Sequence, residues 1–307
     1  MFLASRNYKG ESRPWSERLN AVLGQFYLVL FGKSVSFFSP SFFSLRMALM
    51  SQYNPMDLSG RHILVTGASA GIGRATAGIL ARLGARLALN ARNVERLTET
   101  LNHLEPSANG EPHVLAPFDL TQIDAIPGWL KEYCGRSGPL DGVAHCGGMQ
   151  ALRPIRAFSA SFFDEIARTN LGSVLALARG FRQRGCHGPG SAMAFVSSTA
   201  GLKGSPGNIV YSTTKAGVIA ATKGLAIELL GDGIRVNCVA PAIVDTELIE
   251  RVRATLTKEQ YDGLIALQPL GIGSPDDVGH AIAYLLAEKT GRWVTGTTIA
   301  IDGGATA

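Results

Sequence analysis

The sequence lacks the signals of several protein classes. Its four cysteines, in 307 residues, form no C-x-x-C pair and have no histidine at a zinc-ligand spacing. A disulfide framework is not expected in a chain of this size. We therefore interpret the cysteines as buried or incidental thiols in a reducing compartment. The sequence predicts a cytoplasmic protein without a metal site.

Long apolar runs and repeats are lacking as well. The longest apolar run, residues 21–32, is interrupted by Gln25 and is shorter than the ~20 residues that a membrane-spanning helix needs. There is no G-X-Y period and no internal repeat, which excludes fibrous and solenoid architectures. With 46% apolar and 17% charged residues, the chain does not have the composition of a disordered protein. We expect a globular protein without a membrane span.

Acidic residues are scarce only near the N-terminus. Residues 1–56 hold six lysines and arginines but two glutamates, so they carry +4 of the formal net charge of +5. Residues 57–307 are nearly neutral and show no basic stripe interleaved with aromatics, which argues against a nucleic-acid partner. The N-terminal segment has the Ser/Arg bias of a transit peptide but lacks a clear signal-peptidase site. The interpretation that we favour is an over-long reading frame, with the true start at Met47, Met50 or Met56.

From Asp57 onward, short apolar segments alternate with segments of helical periodicity. The apolar segments do not alternate with polar residues, which indicates strands buried on both faces. Strands that alternate with helices of 10–15 residues are typical of βαβ units. We predict an α/β fold of residues 57–307: a Rossmann-type, doubly wound parallel sheet with helices on both faces, in a single domain. The predicted strands are 61–66, 86–90, 113–118, 142–145, 192–197, 235–239 and 298–301. The predicted helices are 72–83, 94–104, 123–134, 161–183, 211–230, 247–255 and 258–267.

A glycine-rich turn follows the first predicted strand, over Thr66–Gly73 (TGASAGIG). Such a turn lets the backbone approach a pyrophosphate, and the unpaired N–H groups of the following helix hold its charge. The chain has 36 glycines in 307 residues, a larger share than the usual ~7%, and glycine is the residue that permits close approaches of the backbone to a ligand. The G-x-x-x-G-x-G spacing differs from the G-x-G-x-x-G of larger two-domain dehydrogenases. The sequence therefore predicts a dinucleotide site here.

The end of the second predicted strand, Asn90–Asn93 (NARN), indicates which dinucleotide is preferred. Ala91 stands where NAD-preferring sites place an acidic residue on the ribose 2′-hydroxyl. Arg92 follows, and a guanidinium can pair with a 2′-phosphate that a carboxylate would repel. We therefore expect NADP(H) to be preferred, with NAD(H) as the alternative if Arg92 is only a solvated residue at the start of a helix.

Four polar residues form a candidate catalytic group. Tyr211 and Lys215 are four residues apart and so share a helix face, where the cation should lower the tyrosine pKa from ~10 toward neutral pH. Ser198 lies at the carboxyl end of the fifth predicted strand, where open α/β sheets bind ligands. Asn170 interrupts an apolar helical stretch, which requires hydrogen-bond partners for its side chain. This set can support general acid/base chemistry.

These four residues and the glycine turn together resemble the short-chain dehydrogenase/reductase family, in particular its 3-oxoacyl-acyl-carrier-protein reductases. The resemblance extends over residues 57–305, including 235–241 (RVNCVAP) and 295–304 (TGTTIAIDGG). It implies that Tyr211 is the general acid/base and that Ser198 polarises the substrate carbonyl. It also implies that Lys215 lowers the Tyr211 pKa and holds the nicotinamide ribose, while Asn170 holds a water of the proton relay.

The resemblance also implies a set of cofactor contacts. Asp119 and Leu120 would lie at the adenine, and the backbone near Val244, with Thr246, would anchor the carboxamide. The full implied set is Gly67, Ser69, Gly71, Ile72, Gly73, Arg92, Asp119, Leu120, Cys146, Gly147, Tyr211, Lys215, Val244 and Thr246. A homotetramer or homodimer joined through helices 161–183 and 211–230 is implied as well.

Two segments depart from the family pattern. The usual N-N-A-G after the fourth strand is His145–Gly148 (HCGG) here, so His145 could supply a substitute hydrogen bond, a catalytic histidine being the alternative. The usual P-G pair is Pro241 followed by Ala242, which should stiffen the turn beside the nicotinamide. Neither departure removes a reacting group.

The substrate is the least determined part of the prediction. Residues 246–274 are expected to form a lid, with residues 149–152 as the opposite wall. The expected apolar lining residues of the lid are Leu248, Ile249, Val252, Leu264 and Leu267. A carrier-protein substrate would need a basic docking surface near the site. The candidates for that surface are Arg179, Arg182 and Arg184, with Asp232 counting against it.

The function implied is an NADPH-dependent interconversion of a ketone and a secondary alcohol by hydride transfer, on a small-molecule carbonyl or alcohol substrate such as an acyl thioester. The alternatives are an NAD(H)-dependent alcohol or sugar dehydrogenase and a non-catalytic protein that senses dinucleotides. An intact catalytic group argues against the last of these.

Overall fold

The structure is a computed structural model that describes residues 53–150, 152–204, 206–253 and 256–307. By its contacts the chain divides into two compact units, residues 1–54 and 55–307, and the expectations for the N-terminal segment concern residues that lie almost wholly outside the described ranges. Within the described ranges, no helix is both long enough and apolar enough to cross a bilayer.

Seven parallel strands form one sheet in the order β3-β2-β1-β4-β5-β6-β7. The order reverses between β1 and β4, which creates the crevice where open α/β sheets bind ligands. This is the doubly wound Rossmann-type sheet that the sequence predicts, so the predicted fold class is confirmed. The strands are β1 His62–Thr66, β2 Arg86–Asn90, β3 Val114–Leu115, β4 Leu140–His145, β5 His187–Val196, β6 Arg235–Pro241 and β7 Thr298–Ile301.

Helices cover both faces of this sheet. They are α1 Gly71–Arg82, α2 Val94–Asn102, α3 Ile126–Ser137, α4 Ala160–Ala167, α5 Ser173–Phe181, α6 Ile209–Glu228, α7 Glu247–Arg253, α8 Lys258–Ile265, α9 Pro275–Leu286 and α10 Glu288–Gly291. A π-helical turn, Arg168–Gly172, joins α4 to α5, so the single helix predicted over 161–183 is a nearly continuous run with a widened turn at its centre. Short 3₁₀ turns occupy Ile155–Ala157, Thr199–Gly201 and Leu230–Asp232.

The sheet separates two apolar cores. In β1, Ile63 and Val65 pack into the core beneath α1 and α9, whereas Leu64 faces the core beneath α3, α5 and α6. Successive strand side chains point to opposite faces, so both faces of β1 must be apolar. This explains why the strands read as unbroken apolar segments.

Helix α9 is absent from the sequence prediction, although its start carries a recognisable signal. Ser274 and Asp277 form a capping box, in which the Ser274 hydroxyl accepts from the Asp277 N–H and the Asp277 carboxylate accepts from the Ser274 N–H at 2.7 Å. A proline at the first helical position adds to that signal. A Cβ on Gly279 would come within 2.5 Å of the Ile79 side chain, so this glycine lets α9 pack closely against α1.

Strand β3 is two residues long rather than the six predicted. The Asn90 amide donates to the carbonyl oxygens of Ala116 (2.9 Å) and Phe118 (3.2 Å). The Ala116 N–H still donates to the Leu89 carbonyl at 2.8 Å, and beyond that bond the Asn90 side chain takes the place of the backbone ladder.

Candidate active site

Two glycines of the turn after β1, Gly67 and Gly73, lie too close to neighbouring backbone atoms to carry a side chain. A Cβ on Gly67 would lie 2.9 Å from the Gly147 nitrogen, and one on Gly73 would lie 2.2 Å from the Gly67 oxygen. Gly67 and Gly71 also have φ values of 65° and 49°, which favour glycine. The backbone is thus bare where a pyrophosphate would lie, and these residues fit a bound dinucleotide.

Helix α1 begins directly behind this turn. Its N-terminal cap residue, Ala70, forms no side-chain cap, which leaves the first N–H groups of the helix free for an anion. The Ser69 carbonyl is held by the Arg74 guanidinium at 2.6 Å, and Ile72 packs against the core beneath α1. A Cβ on Gly71 would lie 3.2 Å from the Thr246 methyl, so the predicted lid starts directly over the turn.

Three residues are predicted to contact the adenosine half of the cofactor: Arg92, Asp119 and Leu120. Arg92 is exposed just beyond β2, and no ion pair of its guanidinium occurs within the ranges that the structure covers. Asp119 Oδ1 accepts from the Thr121 N–H (3.0 Å) and hydroxyl (2.9 Å), while Leu120 packs on the core beneath α5. Arg92 is therefore free to meet a ligand, while the adenine contacts of Asp119 and Leu120 stay predictions.

Tyr211 and Ser198 meet at the carboxyl end of β5. Ser198 caps the 3₁₀ turn by accepting from the Ala200 N–H at 3.1 Å, and it also hydrogen-bonds Tyr211 on α6. Burial raises the pKa of Tyr211, and the Ser198 hydrogen bond lowers it in part. The structure therefore brings together the two groups that the sequence assigns to the reacting oxygen.

Lys215 lies one turn further along α6 with its ammonium 5.7 Å from the centroid of the Tyr211 ring. Its Nζ donates to the Val196 carbonyl at 2.8 Å, and burial lowers its pKa to about 8. In this structure the burial of the phenol dominates the Tyr211 pKa and Ser198 opposes it, so the lowering of that pKa by Lys215 stays a prediction.

Asn170 is buried in the π-helical turn, and its side chain has the partners that the sequence demands. Its Oδ1 accepts from the Met149 N–H at 2.9 Å, and its Nδ2 donates to the Met149 carbonyl (2.9 Å) and to Thr214 Oγ1 (3.2 Å). A Cβ on Gly148 would lie 3.2 Å from Asn170 Oδ1 and 3.3 Å from Lys215 Nζ. All four candidate catalytic residues thus converge on one edge of the sheet.

Cys146 faces the glycine turn with its backbone and not with its thiol. Its Sγ packs 3.8 Å from Thr76 Oγ1 of α1, and burial raises the pKa of the thiol to about 12. Its carbonyl carbon would lie 3.1 Å from a Cβ on Gly67, so the main chain of the turn after β4 faces the glycine turn while the thiol points into the helix.

The loop after β6 is held by a residue that the sequence analysis misses. Val244 pairs with Gly273, and buried Gln268 accepts from the Ile243 N–H at 2.6 Å. Thr246 follows and donates to the Val244 carbonyl at 3.4 Å. A glutamine between an exposed helix end and a proline carries no sequence signal, because its partner lies 25 residues away.

The lid segment contains helices α7 and α8, close to the helices predicted there. Of its expected lining residues, Ile249 is buried, Leu264 is half-buried and Leu267 is 60% exposed. The side chains of Leu248 and Val252 lie outside the described residues, as does Ala151 of the opposite wall. On that wall, Met149 packs against a small cluster formed by Phe162, Ile166 and Val210.

The basic residues expected to form a docking surface near the site, Arg179, Arg182 and Arg184, lie toward the opposite edge of the sheet. Helix α5 ends at Phe181, and β5 begins at His187, so Arg182 and Arg184 lie at the amino edge of the sheet, ten strand residues away from the site. Arg182 is also paired with Asp232 at 2.9 Å.

The sheet, its bare glycine turn and the polar group at its carboxyl edge define a dinucleotide-binding α/β oxidoreductase. Comparison with known proteins narrows the class. The model of a family described as enoyl-(acyl carrier protein) reductase matches residues 67–306. The chain belongs to the short-chain dehydrogenase/reductase family and is an NAD(P)-dependent oxidoreductase of it.

Three relatives illustrate the similarity. Gluconate 5-dehydrogenase of Gluconobacter oxydans is 33% identical over 261 residues, which cover 84% of this chain and 99% of the relative. The 3-oxoacyl-acyl-carrier-protein reductase of Thermotoga maritima is 31% identical over 252 residues, covering 81% and 99%. The crystal structure of a short-chain type dehydrogenase/reductase from Mycobacterium marinum matches with a TM-score of 0.72 at 31% identity, covering 82% of this chain and 98% of that one.

Proposed function

We propose that the chain interconverts a small-molecule ketone and a secondary alcohol with NADP(H), using Tyr211 as the general acid/base. One observation carries this proposal. The Tyr211 phenol is hydrogen-bonded to Ser198, with Lys215 and Asn170 beside it, at the sheet edge that bears the glycine turn. A bound nicotinamide would supply the hydride in the reduction and accept it in the oxidation.

Ser198 is the group that would polarise the substrate carbonyl. Its oxygen already accepts from the Ala200 N–H, so its own proton can be donated to a substrate oxygen. A hydrogen bond to the carbonyl oxygen stabilises the negative charge that develops there in the transition state.

Tyr211 would complete the reduction by giving its proton to the same oxygen. Its raised pKa keeps the phenol protonated before the reaction, as an acid requires. The Lys215 ammonium, held by the Val196 carbonyl, then stabilises the phenolate that is left, and its other N–H groups would bind the nicotinamide ribose. Asn170 fixes the Met149 backbone beside this pair, and a water at Asn170 would complete the route of the proton.

Arg92 supports the preference for NADP(H). The exposed guanidinium lies beyond β2, and half-buried Ala91 replaces the acidic residue that would repel a 2′-phosphate. We expect NADPH to be used at lower concentration than NADH, and replacing Arg92 with Asp to reverse the order.

Other features of the chain bear on substrate, assembly and location. With Arg182 at the far edge of the sheet, a free ketone or keto-sugar is favoured over a carrier-bound acyl thioester.

The outer faces of α5 and α6 expose Leu175 (48%) and Ile227 (71%), which supports association of copies into a homodimer or homotetramer there. The four described thiols are unpaired, as a cytoplasmic location would require.

The test is oxidation of NADPH and of NADH with a panel of 3-oxoacyl thioesters, diketones and keto-sugars. Tyr211→Phe should lower kcat at least about a hundredfold, because general acid catalysis contributes 10²–10⁴. Tyr133→Phe is the matched control, since Tyr133 is a buried phenol bonded to His62 at 2.8 Å. Unchanged turnover in Tyr211→Phe would refute the mechanism, and dinucleotide binding with no turnover of any substrate in the wild type would favour a sensing protein.

A further inference from the structure

His145 is a buried imidazole that the proposed reaction does not use. It ends β4, is only 2% exposed, and is the register partner of Thr66, the last residue of β1. It therefore lies beneath both the glycine turn and the turn Cys146–Gly148. Its ring also stands edge-on to Phe195, with centroids 6.3 Å apart, which fixes the plane of the imidazole.

The hydrogen bonds around this ring determine its tautomer. The Ser173 hydroxyl donates to the Thr169 carbonyl at 2.6 Å, because a carbonyl can only accept. The Ser173 oxygen must then accept from His145 Nε2–H, 3.1 Å away. Burial and the nearby charge of Lys215 lower the pKa of His145 to about 3, so the ring is neutral and its Nδ1 is an acceptor.

Thr66 transmits this arrangement to the glycine turn. Its hydroxyl donates to His145 Nδ1 at 2.7 Å, so its oxygen remains free to accept from the Gly147 N–H at 3.3 Å. The Gly147 nitrogen is the atom that a Cβ on Gly67 would approach most closely. One series of oriented hydrogen bonds therefore links the turn of Gly67 to the π-helical turn that carries Asn170.

We propose that His145 is a positioning residue for the dinucleotide site, acting as the neutral Nε2–H tautomer through Thr66 to hold Gly147 against Gly67. It touches neither cofactor nor substrate. A protonated ring would donate from both nitrogens, and Thr66 could no longer donate to it. The inference rests on the proposed function, because the turn it positions is the proposed pyrophosphate site.

The test is the affinity for NADPH, measured by fluorescence titration of the full chain. His145→Phe keeps a ring but removes both nitrogens, and it should raise the Kd about tenfold, because Thr66 loses a buried partner. His145→Asn should stay within about threefold of the wild type, since its Oδ1 can accept from Thr66 where Nδ1 did. This rescue would not be expected if the ring served only to fill space.

His62 provides a matched control at the other end of β1. It is a buried imidazole with two hydrogen bonds: its Nδ1–H donates to the Pro139 carbonyl (3.1 Å), and its Nε2 accepts from the Tyr133 hydroxyl (2.8 Å). His62→Phe should lower the melting temperature as much as His145→Phe does, with a change in Kd below about twofold, because it lies far from the glycine turn.

Two results would overturn the inference: an unchanged Kd in His145→Phe, or an equal rise in His62→Phe. Should His145→Phe not fold, Thr66→Val and Thr66→Ser carry the test. The valine variant should weaken NADPH binding and the serine variant should not, and wild-type affinity in the valine variant would overturn the inference. A wild-type chain that binds neither NADPH nor NADH would instead contradict the proposed function itself.

Discussion

Each edge of the sheet holds a buried histidine, but the hydrogen bonds of the two histidines lead to different parts of the protein. At the amino edge, His62 is closed in by Tyr133 and the Pro139 carbonyl, and its backbone N–H donates to Asp141 at 2.9 Å. At the carboxyl edge, His145 is equally buried, but its hydrogen bonds lead to Thr66 and from there to the bare backbone of a turn.

The two edges differ in whether polar groups remain available to bind a ligand. Both ring nitrogens of His62 and its backbone N–H have partners within the protein, from Pro139, Tyr133 and Asp141, so this group adds stability rather than a binding site. At the carboxyl edge the first N–H groups of α1 have no side-chain cap, and Ser198 and Tyr211 are bonded to each other beside the glycine turn. Ligand binding is therefore expected only at the carboxyl edge, as in other open α/β sheets.

The largest effect should come from adding one methyl group to a glycine at each edge. Gly67 and Gly138 both have positive φ, 65° and 83°, but a Cβ on Gly138 would meet nothing within 4 Å. Gly138→Ala should cost only the backbone strain, about 1–3 kcal/mol of unfolding free energy, because its φ of 83° and ψ of 170° lie in a region that is essentially restricted to glycine. Gly67→Ala should also displace Gly147 and weaken NADPH binding at least about tenfold, a loss of ~1.4 kcal/mol or more.

Urea unfolding and NADPH titration of the two alanine variants would measure this contrast. Equal NADPH affinity in both variants would show that the contact between Gly67 and Gly147 does not shape the site.

A smaller effect is expected on the pH dependence of stability. The pKa values of His62 and His145 are both lowered by burial, that of His145 to about 3. Below about pH 6.5 the unfolded chain therefore binds protons that the native imidazoles refuse, and the unfolding free energy falls with falling pH, by at most about 1.4 kcal/mol per unit for each group.

Replacing His145 with Phe should flatten this slope, because the group that refuses the proton is gone. Replacing His62 should flatten it as well. Urea unfolding between pH 6.5 and pH 5 measures the slope, and a slope in His145→Phe equal to that of the wild type would contradict the neutral, buried imidazole.

The smallest effect concerns two exposed ion pairs. Arg96 and Glu247 (2.9 Å) link the start of α2 to the start of the lid, whereas Arg182 and Asp232 (2.9 Å) lie at the amino edge. Exposed pairs add little stability, so both Arg→Gln variants should unfold like the wild type. Only Arg96→Gln should release NADPH faster, about twofold, in stopped-flow displacement, because its pair holds the segment that begins over the glycine turn. Equal release rates in the two variants would show that the ion pair between Arg96 and Glu247 does not slow the release of NADPH.

Local sequence was sufficient where a structure depends on neighbouring residues. The apolar runs of β1 and β2, the glycine turn at Thr66–Gly73 and the helical pairing of Tyr211 with Lys215 could all be predicted, because burial on both faces and helical spacing leave a local pattern. The boundaries of β7 and the start of α7 follow from the same kind of signal.

Contacts between distant segments could not be predicted in this way. The capture of two carbonyls by Asn90 shortens β3, and Gln268 holds the loop after β6 across 25 residues. The raised pKa of Tyr211 depends on how deeply α6 buries the phenol. None of these leaves a periodic pattern, because each depends on where the packing of the sheet and helices places a side chain.

The sequence by itself determined the class of the sheet, and it predicts the position of the dinucleotide turn and the residues that can move a proton. Only the tertiary structure decided which of these groups come into contact, because strand order and crossover direction are properties of the whole sheet. That placement moved Arg182 away from the site and brought His145 beneath it. It also decided the protonation of the imidazole and the phenol, because the free energy of a buried charge depends on every segment that excludes water from it.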